Sequence, residues 1–428
     1  MRTAARLSAL LAIPFAMNLP TASATTIFAP SHLQVQSSAV LASGTPLPNV
    51  EFHVTTDKPD SDDGESTPEL ASQARSAVVM DFSTGNVLFE KDAHEKLPLA
   101  SVTKVMTMLL IMEALDSGQI HLTDKVKTSE HAAKMGGSQV FLEPGETMTV
   151  NDMLKAIAMA SANDACAAMA EHLAGTESRF VQKMNQRAKQ LGMDDTHFVN
   201  SNGLPEPNHY SSAHDIAIMS RELLKHSEIT KYTSKYSDYL RQDTEHPFWL
   251  VNTNKLVRYY DGVDGLKTGY TSESKYCLSA TAKRDGFRVI AVVMGEPKST
   301  IRNHEVSELL NWSFAEYQSR VLYPAGATVK EVEISHGVPE QVPLQTKDTL
   351  GVVIHKGEKP EFHTSIQLND KKLHPPLKKG EVVGQISVTR DGEAVASVPL
   401  VVTQDVAKAG FLQSFGRTVR KIITFGQA

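Results

Sequence analysis

Three strings stand in chain order, Ser101-Val-Thr-Lys104, Ser161-Ala-Asn163 and Lys267-Thr-Gly269, and together they hold the parts of an acyl-transfer site. A serine hydroxyl is a poor nucleophile until a base takes its proton, and a lysine serves as that base when burial or nearby positive charge favours its neutral form. Ser101 and Lys104 supply such a pair. Ser161 adds a second hydroxyl that can hand a proton to a leaving group, Asn163 an amide, and Lys267 a cation for a substrate carboxylate and a possible source of the charge that keeps Lys104 neutral. Each string alone is weak, because average residue usage gives about two chance matches to Ser-x-x-Lys in a chain of this length. Alone, such a pair reads as well as two residues on a helix surface, and Lys-Thr-Gly as a strand ending in a turn.

The elements around the strings raise their weight. Ser101 follows Pro98 and precedes the apolar run Val105–Met112, so a helix is predicted to start at Ser101 with Lys104 one turn later on the same face. A helix N-terminus also offers backbone N–H groups where negative charge develops on an attacked carbonyl, that of Ser101 among them. Helices are expected around 102–116, 151–173, 177–191 and 303–317. Strands are expected at 262–269, 275–283 and 287–295, after a hairpin of Ala77–Asp81 and Asn86–Glu90 about Ser83-Thr-Gly85. Strands at both ends with helices between predict an α+β domain over 74–325, a helical cluster on an antiparallel sheet with the site between them. From 326 to 403 short β-rich segments, divided by turns such as Asn369-Asp370, Lys379-Gly380 and Asp391-Gly392, predict a small all-β sandwich.

The chain ends read differently. A cationic start (Met1–Arg6), a short apolar run (Leu7–Leu19) and Ala22-Ser-Ala24 predict a secretory signal over 1–24; Pro14 and Asn18 interrupt the run, which argues against a spanning helix. Residues 25–73 are acidic and weakly apolar, the composition of a disordered linker. Over 404–428, Phe411, Leu412, Phe415, Val419, Ile422 and Ile423 fall on one helical stripe beside Lys408, Arg417, Arg420 and Lys421. That pattern fits an amphipathic helix lying in an anionic membrane interface or docked on the β-domain. The formal net charge of −6 and the lack of a basic stripe or phosphate loop make nucleic acid an unexpected partner. Sixteen histidines show no metal-ligand spacing, since His304-Glu305 meets Glu308 where a second ligand belongs, so neither metal nor cofactor is expected. His209 and His214 read as turn and helix-cap residues.

At its three strings the chain resembles the penicillin-recognising serine enzymes, and within them the low-molecular-mass penicillin-binding proteins that are D-alanyl-D-alanine carboxypeptidases. The likeness continues through Ser161–Cys166, Met184-Asn185, Leu191-Gly-Met193, Thr196-His-Phe198, Asn200–Leu204, Asn252-Thr-Asn254 and Val263–Gly269. The resemblance implies a β-lactamase/transpeptidase-like catalytic domain. In it Ser101 attacks the penultimate D-Ala carbonyl, Lys104 is the base, Ser161 relays a proton to the departing amine, and Asn163 holds the substrate amide and Lys104. Lys267 and Thr268 bind the terminal carboxylate on the strand edge that Gly269 belongs to, and the Tyr270 N–H completes the oxyanion hole. Arg302 matches an arginine near the carboxylate pocket or is a solvated helix-end residue. Pro205 stands where some relatives carry Asp, and Glu206 is a loop residue first. Cys166 and Cys277 resemble unpaired buried cysteines, with a bridge as the alternative. The implied substrate is the peptidoglycan pentapeptide and the implied inhibitors are β-lactam antibiotics. The implied place is the periplasm, attached peripherally to the inner membrane by the C-terminal helix. A D,D-endopeptidase with the same site, or a non-catalytic wall-binding protein, are the rival readings.

Overall fold

The computed structural model describes residues 69–369 and 373–410. The expected signal segment and most of the acidic linker lie outside the described residues, as do residues 411–428. The linker's last residues are ordered: the Gln73 and Ala74 N–H groups donate to the Glu305 carboxylate at 2.8 and 3.1 Å.

A five-stranded antiparallel sheet organises the first region, in the order Val87–Lys91, Ser76–Asp81, Phe287–Glu296, Lys275–Arg284, Val263–Thr271. The first strand pair is joined to the last three through Ser76–Asp81 and Phe287–Glu296, so one sheet closes over sequence separated by about two hundred residues of helices. Alternate residues of Phe287–Glu296 serve two cores. Ile290, Val292 and Met294 face the helical cluster, whereas Val289, Ala291 and Val293 meet Val306, Leu309 and Leu310 of the helix Ser299–Glu316. Covered on both faces, this strand reads in sequence as an unbroken apolar run.

The helix Lys104–Asp116 is the centre of the helical cluster; residues around its whole circumference, from Val105 to Met112, are buried apart from Leu110. A helix apolar all round is an interior helix. The expected single helix over 151–173 is instead two, Val150–Lys155 and Asn163–Ala174, with a wide turn at Ala156–Ala160 between them. Ser161 breaks it, adopting a left-handed backbone with φ 61°, followed by extended Ala162. A helix Ala213–Lys225, capped by Ser212 accepting from the Asp215 N–H, packs on the sheet's helical face. Ser212, not His214, is therefore the cap.

The chain passes from Glu316 directly into a strand, Tyr317–Tyr323, which pairs with Leu350–His355. The Lys356 N–H and ammonium satisfy the helix's last carbonyls, at Glu316 and Phe314. A second five-stranded antiparallel sheet runs Thr328–Glu333, Gln341–Thr346, Glu393–Val402, Val382–Arg390, His363–Leu368. Its core is aliphatic: Val342, Leu344, Val352, Ile386, Val388, Leu400 and Val402. Residues 404–410, expected to open a helix, are extended. Val406 bridges Leu377, and Ala407–Lys408 pairs with Gly337–Val338.

Candidate active site

Ser101 lies in a single 3-10 turn, Ala100–Thr103, that leads into the buried helix at Lys104. The turn is entered through Ala100 at φ 46°, a left-handed conformation that costs an L-residue on the order of 1–2 kcal/mol. Two glycines let neighbouring backbone close on it. A Cβ at Gly269 would lie 2.9 Å from the Leu99 carbonyl oxygen and 3.1 Å from Val102 Cγ2. One at Gly203, which also has φ +87°, would lie 1.9 Å from the Ala100 oxygen. Any side chain at either position pushes the strand Val263–Thr271 or the loop 200–204 off the serine turn.

Lys104 Nζ lies 2.9 Å from Ser101 Oγ, 2.7 Å from Asn163 Oδ1 and 2.6 Å from the Asn202 carbonyl oxygen. A neutral amine has two N–H bonds and one lone pair. The two carbonyl-type oxygens accept both N–H groups, which leaves the lone pair for the Ser101 proton. Lys104 is wholly buried, and desolvation brings its pKa down to about 8. Charged Asp164 opposes that shift; the Cys166 thiol, raised to about 12 by its own burial, is uncharged at neutral pH and opposes it little. Burial, and not the Lys267 charge anticipated from sequence, is thus the cause of the depressed value. Lys267 is itself buried and held well below the usual lysine range, by desolvation first and by Lys104 second.

Asn163 opens its helix with its N–H donating to the Ser138 carbonyl at 2.7 Å, which frees its side chain to span Lys104 and the Gly136 carbonyl, 2.7 Å from Nδ2. The next residue, Asp164, accepts from the Val140 and Leu142 N–H groups and fixes the loop over the site. Ser161 is buried in the break two residues earlier. Among the described residues Val263–Thr271 is an edge strand, paired on one side only, the kind of strand to which an extended ligand can add. Lys267 Nζ donates to the Thr268 carbonyl, and Thr268 Oγ1 to Thr253 Oγ1 at 2.8 Å. Asn252 and Asn254 tie that neighbouring segment down, to the Thr233 and Lys235 carbonyls and to the Gly265 carbonyl. The Tyr270 ring is exposed and stacks on Tyr276 at 4.3 Å between centroids.

Arg302 is not a solvated helix-end residue: it is 5% exposed, braced by Asn303 Oδ1 at 2.8 Å, and its positive charge acts on Lys267. Glu206 is exposed in its loop. Cys166 and Cys277 are buried free thiols. The sequence reading missed the Asn202 carbonyl, Asp164 and Thr103. An Asn-Gly pair at 202–203 signalled a turn, but nothing in the string said that this turn faces Lys104.

Comparison with known proteins follows the same division of the chain. Residues 62–298 match the family model described as D-alanyl-D-alanine carboxypeptidase, and residues 317–408 match the model of the penicillin-binding protein 5 C-terminal domain. The D-alanyl-D-alanine carboxypeptidase DacF of Bacillus subtilis is 50% identical over 358 residues, 83% of this chain and 92% of that one. The crystal structure of penicillin-binding protein 5 from Haemophilus influenzae superposes with a TM-score of 0.64 at 33% identity, covering 81% of this chain and 100% of that one. Penicillin-binding protein D2 of Listeria monocytogenes, solved in an ampicillin-bound form, has a TM-score of 0.52 at 32% identity and covers 58% of this chain and 100% of that one.

Proposed function

The chain belongs to the D-alanyl-D-alanine carboxypeptidase family and is a serine-type D-alanyl-D-alanine carboxypeptidase, and on that footing we propose that Ser101 is its nucleophile, Lys104 its base and the peptidoglycan pentapeptide its substrate. The observation that carries this reading is the buried Lys104, with both its N–H groups engaged and Ser101 Oγ 2.9 Å away. Ser101 Oγ attacks the penultimate D-Ala carbonyl as its proton passes to Lys104. The oxyanion is met by the Ser101 and Tyr270 N–H groups on the two elements that Gly269 brings together. Ser161 carries the proton on to the departing D-Ala nitrogen. That breaks the amide and leaves an ester on Ser101, which water hydrolyses with Lys104 again taking a proton. Asn163 holds the substrate amide and Lys104. Lys267, Thr268 and Arg302 face the terminal carboxylate, whose negative charge would favour protonation of Lys267 on binding.

β-Lactams acylate the same serine, and water's slow return leaves the enzyme trapped. Mass spectrometry of products from a pentapeptide muropeptide and a cross-linked dimer tests the substrate assignment. Loss of one D-Ala from the pentapeptide is expected, and cleavage confined to the dimer would make the enzyme an endopeptidase. Ser101→Ala is expected to abolish the penicillin adduct; an adduct at full yield sinks the nucleophile assignment. The amino-terminal segment and basic carboxy-terminal stripe support export to the periplasm and peripheral attachment to the inner membrane. Co-sedimentation of the whole mature chain with anionic vesicles checks the attachment, and equal recovery with neutral vesicles or none speaks against it.

A further inference from the structure

His209 is buried 2.8 Å from Thr103 Oγ1 in the serine turn. Its other ring nitrogen, Nδ1, accepts the Val199 N–H at 2.9 Å. A ring nitrogen that accepts from a backbone N–H carries no proton, so the imidazole's proton is on Nε2 and is donated to Thr103 Oγ1. The Thr103 hydroxyl proton then goes to the Ala100 carbonyl, 2.8 Å away. One directed series of hydrogen bonds therefore runs from Val199 through His209 and Thr103 to the carbonyl of Ala100, the left-handed residue that immediately precedes Ser101. It leaves no site for a second proton on the ring, and burial, with His197 and Lys104 nearby, holds the imidazole down to about 4.

We propose that His209 is a positioning residue for the nucleophile: as the Nε2–H tautomer it locks Thr103 onto the Ala100 carbonyl and so holds the strained turn that aims Ser101 at Lys104. This rests on the reading of Ser101 as nucleophile. The same carbonyl is the atom that a side chain at Gly203 would strike, so the loop 200–204 and His209 grip the turn from adjoining positions.

The test compares Thr103→Val, Thr103→Ser, His209→Ala and His209→Gln in the whole mature chain, with a fluorescent penicillin as probe. The rate constant of Ser101 acylation and the amplitude, which counts competent sites, are read separately. Thr103→Val removes the hydroxyl with little change of volume, and the loss of one well-placed buried hydrogen bond at the reacting turn is expected to slow acylation about tenfold at full amplitude. His209→Ala should be slowed at least as much. Thr103→Ser, and His209→Gln, whose amide can accept at Oε1 and donate at Nε2, should recover most of the rate. A purely structural histidine would lower the amplitude or the unfolding temperature and leave the rate constant of the surviving sites unchanged; that result overturns the proposal, as does a wild-type rate constant in Thr103→Val. If His209→Ala does not fold, the Thr103 pair decides alone. Labelling of the wild-type chain at Ser101 is the control that separates the two readings: its absence removes the nucleophile assignment, whereas its presence with unchanged variant rates removes only the role of His209.

Discussion

The catalytic region and the β-domain are built on opposite uses of burial. Around the serine turn, Lys104 and Lys267 are essentially inaccessible, Asn163, Ser161 and Arg302 nearly so, and two non-glycine residues, Ala100 and Ser161, hold left-handed backbones. In the β-domain, among the described residues from 326 to 410, Thr346 is the buried polar side chain and the buried apolar side chains are valine, leucine and isoleucine. Burying an amine costs several kcal/mol unless it is satisfied or becomes neutral, and the catalytic region satisfies Lys104 and shifts it toward the neutral form. The contrast teaches where folding free energy is diverted into reactivity: the β-domain takes the full stabilisation of its apolar surface, and the catalytic region gives some up to keep a lysine dry.

Changes at the contact between serine turn and edge strand should break this contrast hardest. Gly269→Ala places a methyl 2.9 Å from the Leu99 oxygen and so separates the turn from the strand. With displacement approaching 1 Å, acylation by penicillin is expected to fall about 100-fold, and stopped-flow rates near wild type would mean that the two elements shift without consequence. A smaller effect sharpens it. With Lys104 at about 8, its free-amine fraction rises from about one tenth at pH 7 to about nine tenths at pH 9. Acylation should therefore quicken about tenfold across that interval and then level; a flat profile, or a fall, would remove burial of Lys104 as the source of the base. The smallest effect on chemistry is expected from the β-domain. Leu344→Ala should lower stability by about 2–5 kcal/mol in denaturant titration and leave the acylation rate constant unchanged. A matching loss of rate would show that the two regions share more than a chain.

Legibility followed the same division. Strands whose two faces differ or whose apolar run is continuous, such as 275–284 and 287–296, were readable because alternation and β-branching are local properties. Gln341–Thr346 carries no clear strand signature: Pro343 disguises it, although it pairs with strands on both sides. Tyr317–Tyr323 was missed, its first residue read as the end of a helix that has no glycine or proline to stop it and whose last carbonyls are met by Lys356, just past a distant strand. The break at Ser161 was invisible because Ala156–Ala160 and Asn163–Ala174 both favour helix, and what holds them apart is the Ser138 carbonyl and Lys104.

By itself the sequence offered the groups that we propose for the chemistry, and their order: the Ser-x-x-Lys, Ser-x-Asn and Lys-Thr-Gly strings, with the sheet-forming ends and the aliphatic β-domain. These are matters of residue type, spacing and periodicity. Only the tertiary structure decided that Lys104 is shifted toward its neutral form, because desolvation is a property of everything packed around an amine and of none of its neighbours in sequence. The same holds for Asn202, Thr103 and His209, whose roles depend on a carbonyl or a ring nitrogen meeting its partner across some hundred residues of chain. Such meetings are fixed by packing and leave no spacing to read.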